Sequence, residues 1–262
     1  MIFFPQLSSG AVAQLPLRRE TGYRTLVNRT LDGREVRVAD GDYFELGWEL
    51  RLELLTDAEF QAIHTLFTAT EGRLKSFTFL EAGENLLAWS ENFTESVWAK
   101  TGVTVTGGVS DPFGGTLASR LTGSGSISQS LSIPAKLRYA ASIWAKTSQT
   151  GAAFEITDNA GQTATAELTS DGAWRRYRLS TAWTASISET MIFRVTLPAG
   201  ATVDVYGAQV EAHPAASYYK KTIERGGVHP GARFASDTLV DRATEPGRHA
   251  GVIRITWTPS VT

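Results

Sequence analysis

Catalysis needs groups that move protons, hold metals or attack carbonyls, and this chain is sparing with all of them. It has four histidines, His64, His213, His229 and His249, and no cysteine. No two histidines have the H-x-x-x-H spacing that sets a pair on one helical face around zinc. All four read as surface or turn residues. There is no G-x-S-x-G elbow, no P-loop and no G-x-G-x-x-G, and the run Gly123-Ser124-Gly125-Ser126 reads as a turn. The two acids of a glycosidase need not be near in sequence, but no pair of carboxylates stands out. The expectation is a protein without a catalytic residue set. The side chains that can do chemistry of another kind are aromatic, because a flat ring stacks on the apolar C–H face of a sugar. The candidates are Trp183, Trp174, Tyr177 and Trp89. Trp183, between Ala182 and Thr184 in a loop-like stretch, is the best exposed of them. Trp98 and Trp144 read as core, Trp144 because Ile143 and Ala145 flank it.

These rings need a scaffold, and the bulk numbers allow a large one. The chain has 262 residues, 42% of them hydrophobic and 20% charged, enough for one large β domain or two smaller ones. A formal net charge of -2 gives no electrostatic reason to expect nucleic acid or an anionic membrane as partner. The lack of cysteine suits folding in a reducing cytoplasm. No apolar run approaches membrane-spanning length, and Met1 to Pro5 lacks the basic and apolar regions of a secretory signal.

The clearest element is the stretch 44–54. Phe44, Leu46, Trp48, Leu50, Leu52 and Leu54 alternate with Glu45, Gly47, Glu49, Arg51 and Glu53, the period of a strand with one apolar and one charged face. Thr56 followed by Glu59 is a capping box that opens a helix over 56–71, with Phe60, Ile63, Leu66 and Phe67 on one side. Upstream, 23–28 and 34–38 are strands joined by a turn at Asp32-Gly33, and Asp40-Gly41 marks a second turn. Residues 1–20 form an extended arm, free to reach onto a neighbour. From 84 to 222 the pattern changes to about nine short strands separated by turn signals such as Gly107-Gly108, Gly114-Gly115 and Pro198-Ala199-Gly200. That spacing predicts an antiparallel jelly-roll β-sandwich. The tail 223–262 has one strand, 252–257, and too little core to stand alone, so it belongs with 1–83 as the second segment of one scaffold. The fold class is mainly β: a β-rich scaffold domain with one α-helix plus an inserted sandwich.

Two resemblances attach to these segments. Residues 84–222 open Asn85-Leu86-Leu87-Ala88-Trp89-Ser90-Glu91-Asn92-Phe93, carry Tyr139 to Lys146 in the middle, and close Ala208-Gln209-Val210-Glu211. This resembles the carbohydrate-binding-module-like jelly roll of bacteriophage tail proteins. The flanks resemble distal tail (Dit-like) and related tail-tip proteins through Gly22-Tyr23-Arg24, the strand 44–54, the helix and Gly72 to Phe79. The resemblance implies a structural component of a phage tail tip or baseplate, resident in the virion tail and made in the host cytoplasm. It would form a homo-oligomeric ring on the tail tube, contact other baseplate proteins, and display the jelly roll toward a host-surface glycan. The charged face, Glu45, Glu49, Arg51 and Glu53, would then meet the neighbouring subunit. No cofactor is expected beyond the structural calcium that such jelly rolls often hold, with Glu91, Asp204 and Glu211 as candidate ligands. The alternatives are a glycan-binding adhesin and, from another class, a cell-wall glycan hydrolase.

Overall fold

The computed structural model describes residues 2–259; Met1 and the end of the expected 223–262 segment lie outside the described residues. The elements in chain order are β1 (Leu17–Arg29), β2 (Glu35–Thr56), α1 (Asp57–Ala69), β3 (Phe77–Leu80), β4 (Ala99–Val109), β5 (Ala118–Leu131) and β6 (Arg138–Lys146). They continue with β7 (Ala153–Asp158), β8 (Thr163–Glu167), β9 (Arg175–Ala182), β10 (Met191–Glu211), β11 (Val228–Phe234), β12 (Arg242–Glu245) and β13 (Arg248–Trp257). The chain is mainly β and divides into two compact units. One holds the described residues of Met1–Leu7, Ala13–Phe79 and His229–Thr262, the other Ser8–Val12 and Leu80–Val228.

The first unit is built on a sheet of order β1-β2-β13-β11-β3, with β12 paired to β13. Alternation along β2 buries Leu46, Trp48, Leu50 and Leu52, and the antiparallel register sets Trp257, Ile255 and Ile253 of β13 beside the first three. Burying each such side chain is worth roughly 1.5–3 kcal/mol, so this face dominates the unit's stability. The apolar run does not extend to Leu54 as the pattern predicts. Leu54 takes a left-handed φ of 54° and points to solvent, and the parity change puts Leu55 inside. At Thr56 the capping box forms in full: the Glu59 amide donates to Thr56 Oγ1 at 3.3 Å and the Thr56 amide to Glu59 Oε2 at 2.8 Å. Ile63 and Leu66 of α1 are buried, and Phe67 meets Phe234 edge-on at 5.1 Å.

Two expectations about this unit are corrected. Asp40-Gly41 is not a turn: β2 runs through it, and the pairing with β1 slips by a bulge between Tyr23 and Thr25. Arg24, the residue skipped, forms an ion pair with Asp40 and lies 4.7 Å from the Tyr43 ring centre. The start of the N-terminal arm is not free but folds onto the first unit, because Phe3 bridges Thr78 and Phe4 is buried edge-on to Phe79. The charged face of β2 is also engaged within the chain. Glu49 bonds Arg51 and Arg254, which hold its carboxyl below the usual range; Glu53 pairs with Arg242, and Glu45 accepts the Tyr43 hydroxyl. Glu49, Arg51, Glu53, Arg254 and residues 238–240 line a cavity of about 680 Å³ on that face.

Two of the four histidines are more integrated than surface residues, while His64 is exposed as expected. His229 is buried among the rings of Trp48, Phe79 and Trp257. His249 lies flat on Phe60 at 4.6 Å, with Nε2 2.8 Å from Asp57 and Nδ1 2.9 Å from Asp241.

The second unit is an antiparallel sandwich of order β4-β5-β10-β6-β9, with β7 on β10 and β8 on β7. Several turn signals sit inside strands here. Gly123 and Gly125 kink β5 at positive φ, where the facing carbonyls of Gly102 and Thr101 leave no room for a Cβ. Pro198 to Gly200 is an irregularity in the 21-residue β10 rather than its end. The first part of β10 pairs with β5 and β7, and the last part with β5 and β6. Phe93, Trp98, Phe154 and Phe193 fill the core. The unit's entry and exit run side by side. The Glu81 amide donates to the Gly227 carbonyl at 2.8 Å, and Asn85 Nδ2 donates to the carbonyls of Ala208 at 2.8 Å and Lys220 at 3.1 Å.

Thr56→Ala should destabilise the protein by about 1 kcal/mol in urea denaturation, the usual cost of a lost N-cap. A second test concerns pH. Hydrogen bonds from His249 to Asp57 and then Asp241 raise its pKa above the ordinary 6.5. Its stabilising contribution is therefore complete below pH 6.5 and is lost as pH rises through the raised native value. The urea midpoint should fall over that window, and His249→Gln should remove that part of the slope. An unchanged slope in the variant would contradict this assignment.

Candidate functional site

The site begins with the alternation of β6. Ala141, Ile143 and Ala145 are buried on the core side, so Ser142, Trp144 and Lys146 point to the opposite face. Cross-strand partners share a face, and the register extends this row to both neighbours. Trp144 lies between Tyr206 of β10 and Arg176 of β9; Lys146 pairs with Asp204, and Ser142 lies between Gln209 and Arg178. Arg120 of β5 pairs with Asp204 from the other side. Trp174, just before β9, adds its ring 5.7 Å from Lys146 Nζ. One sheet face thus carries aromatic rings and charged groups side by side.

Rings form the middle of this face. Trp144 meets Tyr206 at 6.0 Å and Tyr219 at 5.4 Å, both edge-on. The loop between β4 and β5 lays Phe113 against both Trp144, at 5.5 Å, and Tyr206, at 5.8 Å, while leaving it 69% exposed. Asp111 holds that loop: its carboxylate accepts the amides of Phe113 at 2.8 Å, Gly115 at 3.1 Å and Leu117 at 3.2 Å. Burial pushes the Asp111 pKa up, and these three amides outweigh it, leaving the group below the ordinary carboxylate value.

Charges surround the rings. Asp204, buried, takes a two-pronged bond from Arg120, Nε at 2.7 Å and Nη2 at 3.0 Å, and Lys146 lies 3.8 Å away. The Arg176 guanidinium lies 4.5 Å over Trp144 and donates through Nη2 to Ser142 Oγ at 2.9 Å and the Ser217 carbonyl at 2.8 Å. Its Nε is buried without a partner among the described residues. Burial lowers the Arg176 pKa, Arg178 lowers it further, and Glu211 offsets part of this. Beyond Tyr206, Glu91 accepts the hydroxyls of Tyr206 at 2.9 Å and Tyr219 at 3.3 Å and pairs with Lys221 at 2.6 Å. Burial first, with the Glu91 carboxylate adding to it, drives both phenols well above their ordinary range, so they stay neutral donors.

Of the four expected aromatic candidates, the structure puts only Trp174 on this face. Tyr177 pairs with Ile143, on the opposite side of the sheet, and its hydroxyl accepts the Thr169 amide at 2.8 Å. Trp183 follows the far end of β9, half-buried, with its carbonyl taking the Ser186 amide. Trp89, at a left-handed φ of 49°, lines a cleft of about 410 Å³ with Glu91, Leu117, Lys221 and Ile223. The expected calcium ligands do not converge. Glu91 and Asp204 are bound by cations as described, and Glu211 takes the Ser217 amide at 2.9 Å and Gln209 Nε2 at 2.6 Å. Among the described residues, no three His, Cys, Asp or Glu side chains form a group that could hold a metal. Trp144, Arg176, Phe113 and Tyr206 belong to the face although the residue pattern does not single them out. A signal for Trp144 exists all the same: apolar flanking residues in a strand mark the face their neighbour avoids.

No protein-family model and no curated protein matches this sequence. Among solved structures, the chain is similar to the enzymatically active domain of tailspike protein 4 of bacteriophage CBA120, at 16% identity and a TM-score of 0.39, over 48% of this chain and 21% of that one. It is also similar to the CBM22-1 xylan-binding domain of Xyn10C from Paenibacillus barcinonensis, at 20% identity and a TM-score of 0.38, over 52% of this chain and 97% of that one. A second xylan-binding domain, from CBM 22, gives 10% identity and a TM-score of 0.41 over 52% of this chain and 99% of that one. The chain thus spans about a fifth of the tailspike protein's length and nearly all of the two modules. At these scores the likenesses say nothing of a ligand; only the side chains of the face bear on that.

The Asp111 clasp gives a direct test of the site's rigidity. Asp111→Ala should speed hydrogen exchange at the amides of Phe113, Gly115 and Leu117 by about tenfold or more, since each loses a bond to a charged acceptor. Lowering the pH of the native protein through the depressed Asp111 pKa should do the same.

Proposed function

We propose that the second unit is a glycan-binding domain and that the face built on β6, β9 and β10 is its binding surface. The observation that carries this is the placement of Trp144 and Trp174 on an outward sheet face, half-buried and flanked by Phe113, with Arg120, Asp204 and Lys146 fixed beside them. A pyranose presents an apolar C–H face and a rim of hydroxyls. Rings held by packing match the first, and charged groups locked by their own bonds offer donors and acceptors to the second at low entropic cost. The reading is of binding, not catalysis. Calorimetry or a glycan array on the whole protein tests it: Trp144→Ala and Trp174→Ala should each weaken binding about tenfold, worth about 1.4 kcal/mol, while Trp183→Ala should leave it unchanged. Equal losses from Trp183→Ala, or release of reducing sugar by the native protein, would overturn this assignment.

A second reading, a ring-forming tail-tip component of a phage virion, is favoured by the hairpin of β1 and β2. Register places Leu26 and Val36 with Val38 on one face, all about half exposed, an apolar stripe on a two-stranded ribbon. In such an assembly many weak glycan contacts would gain avidity. Sedimentation should show concentration-dependent oligomers that Leu26→Glu dissolves. A monomer at every concentration would count against this second reading and leave the first intact.

A further inference from the structure

The balance of charge on the binding face points to the kind of sugar it takes. Arg120, Lys146, Arg176 and Arg178 lie on this face, against Asp204 and Glu211. Both carboxylates are buried, Asp204 at 3% and Glu211 at 1% exposure, so the charges left toward solvent are positive. Asp204 already serves Arg120 and Lys146, and Glu211 is taken up by Ser217 and Gln209. Among the described residues Arg176 and Arg178 form no ion pair, and they stand on neighbouring positions of one strand face. A further charged pair adjoining the rings, Glu91 with Lys221, is self-neutralising.

Arg176 is the centre of this surplus. Its plane is fixed by Trp144 below and by Nη2 bonds to Ser142 and Ser217. Among the described residues Nε is buried with no partner, while Nη1 has no hydrogen bond and is not among the buried unpaired atoms. A cation held this firmly, partly desolvated and beside a second cation, has only the field of the buried Glu211 to offset it and no carboxylate paired with it among the described residues. Several surface arginines elsewhere in the chain find carboxylates, as Arg175 does in Asp171 and Arg254 in Glu49, while Arg233 and Arg248 bond backbone carbonyls.

We infer that the ligand is an acidic glycan, with a sugar packed against the Phe113 and Trp174 rings that flank Trp144 and its carboxylate met by Arg176 and Arg178. This rests on the glycan-binding reading and goes beyond it by assigning the substrate class. A carboxylate suits the site because a guanidinium immobilised on a ring presents Nη1 as a charged donor in a fixed position, which neutral hydroxyls do not require. Arg176 and Arg178 are then the specificity residues, and the rings supply the affinity common to any sugar.

The test uses the whole protein and an array of polygalacturonate, alginate and hyaluronate, each beside its carboxyl-reduced counterpart, which differs only in having lost the charge. Binding should favour the acidic member of a pair by about tenfold or more and weaken between about 0.05 M and about 0.5 M salt. Arg178→Gln, at an exposed position, and Arg176→Met should each erase most of that preference; urea denaturation checks that both variants fold. Arg176→Lys should keep part of it, having the charge without the fixed plane. If reduced and acidic chains bind alike, the inference fails while the glycan-binding reading stands. If no chain of either kind binds, that reading falls and takes the inference with it.

Discussion

The pairing of β6 with β10 is the constraint on which the outward face of the second unit's sheet depends. It sets Trp144 against Tyr206 and Lys146 against Asp204, and a slip of one residue would exchange every ring and charge on the face for the alanines and valines of the core. The register is held because the core side is unforgiving: Ala141, Ile143, Ala145, Val203 and Val205 are almost completely buried. Their packing fixes the outer face without any outer residue having to contribute. This is why the outer face can hold an under-compensated guanidinium and an exposed phenylalanine at tolerable cost.

The same division explains what could be read from residues alone. Wherever one face of an element is simply apolar, the sequence speaks clearly: the alternation of β2 as far as Leu52, the capping box at Thr56 and the strand at the tail lie where the pattern places them. Glycine is ambiguous. A positive φ serves a turn and a kink equally well, so Gly123, Gly125 and Gly200 look alike in sequence whether the strand stops or bends. Only the partner strand decides, and it lies far away in the chain.

The candidate site is legible in part. Trp174 stands out because it precedes a strand and no apolar neighbours hide it, whereas Trp144 resembles a core residue through neighbours that point the other way. Arg176 and Phe113 have no local signal. One acquires its meaning from Trp144 and Ser217, the other from a loop shaped by the Asp111 carboxylate, and these contacts exist only after the sheet has formed. The acids mislead in the reverse direction. Glu91, Asp204 and Glu211 look available as free carboxylates, yet each is occupied by partners distant in sequence or hidden in a loop.

The hydrogen bond between Glu81 and Gly227 has a consequence for the chain's connectivity. The chain leaves the first sheet after β3 and returns to it at β11, and these two strands are already neighbours there. The first sheet therefore closes across the insertion point through its own strand order. The long segment between the two points begins and ends a single hydrogen bond apart. Changes in the length of that segment can then be absorbed without altering the order of the strands that flank it.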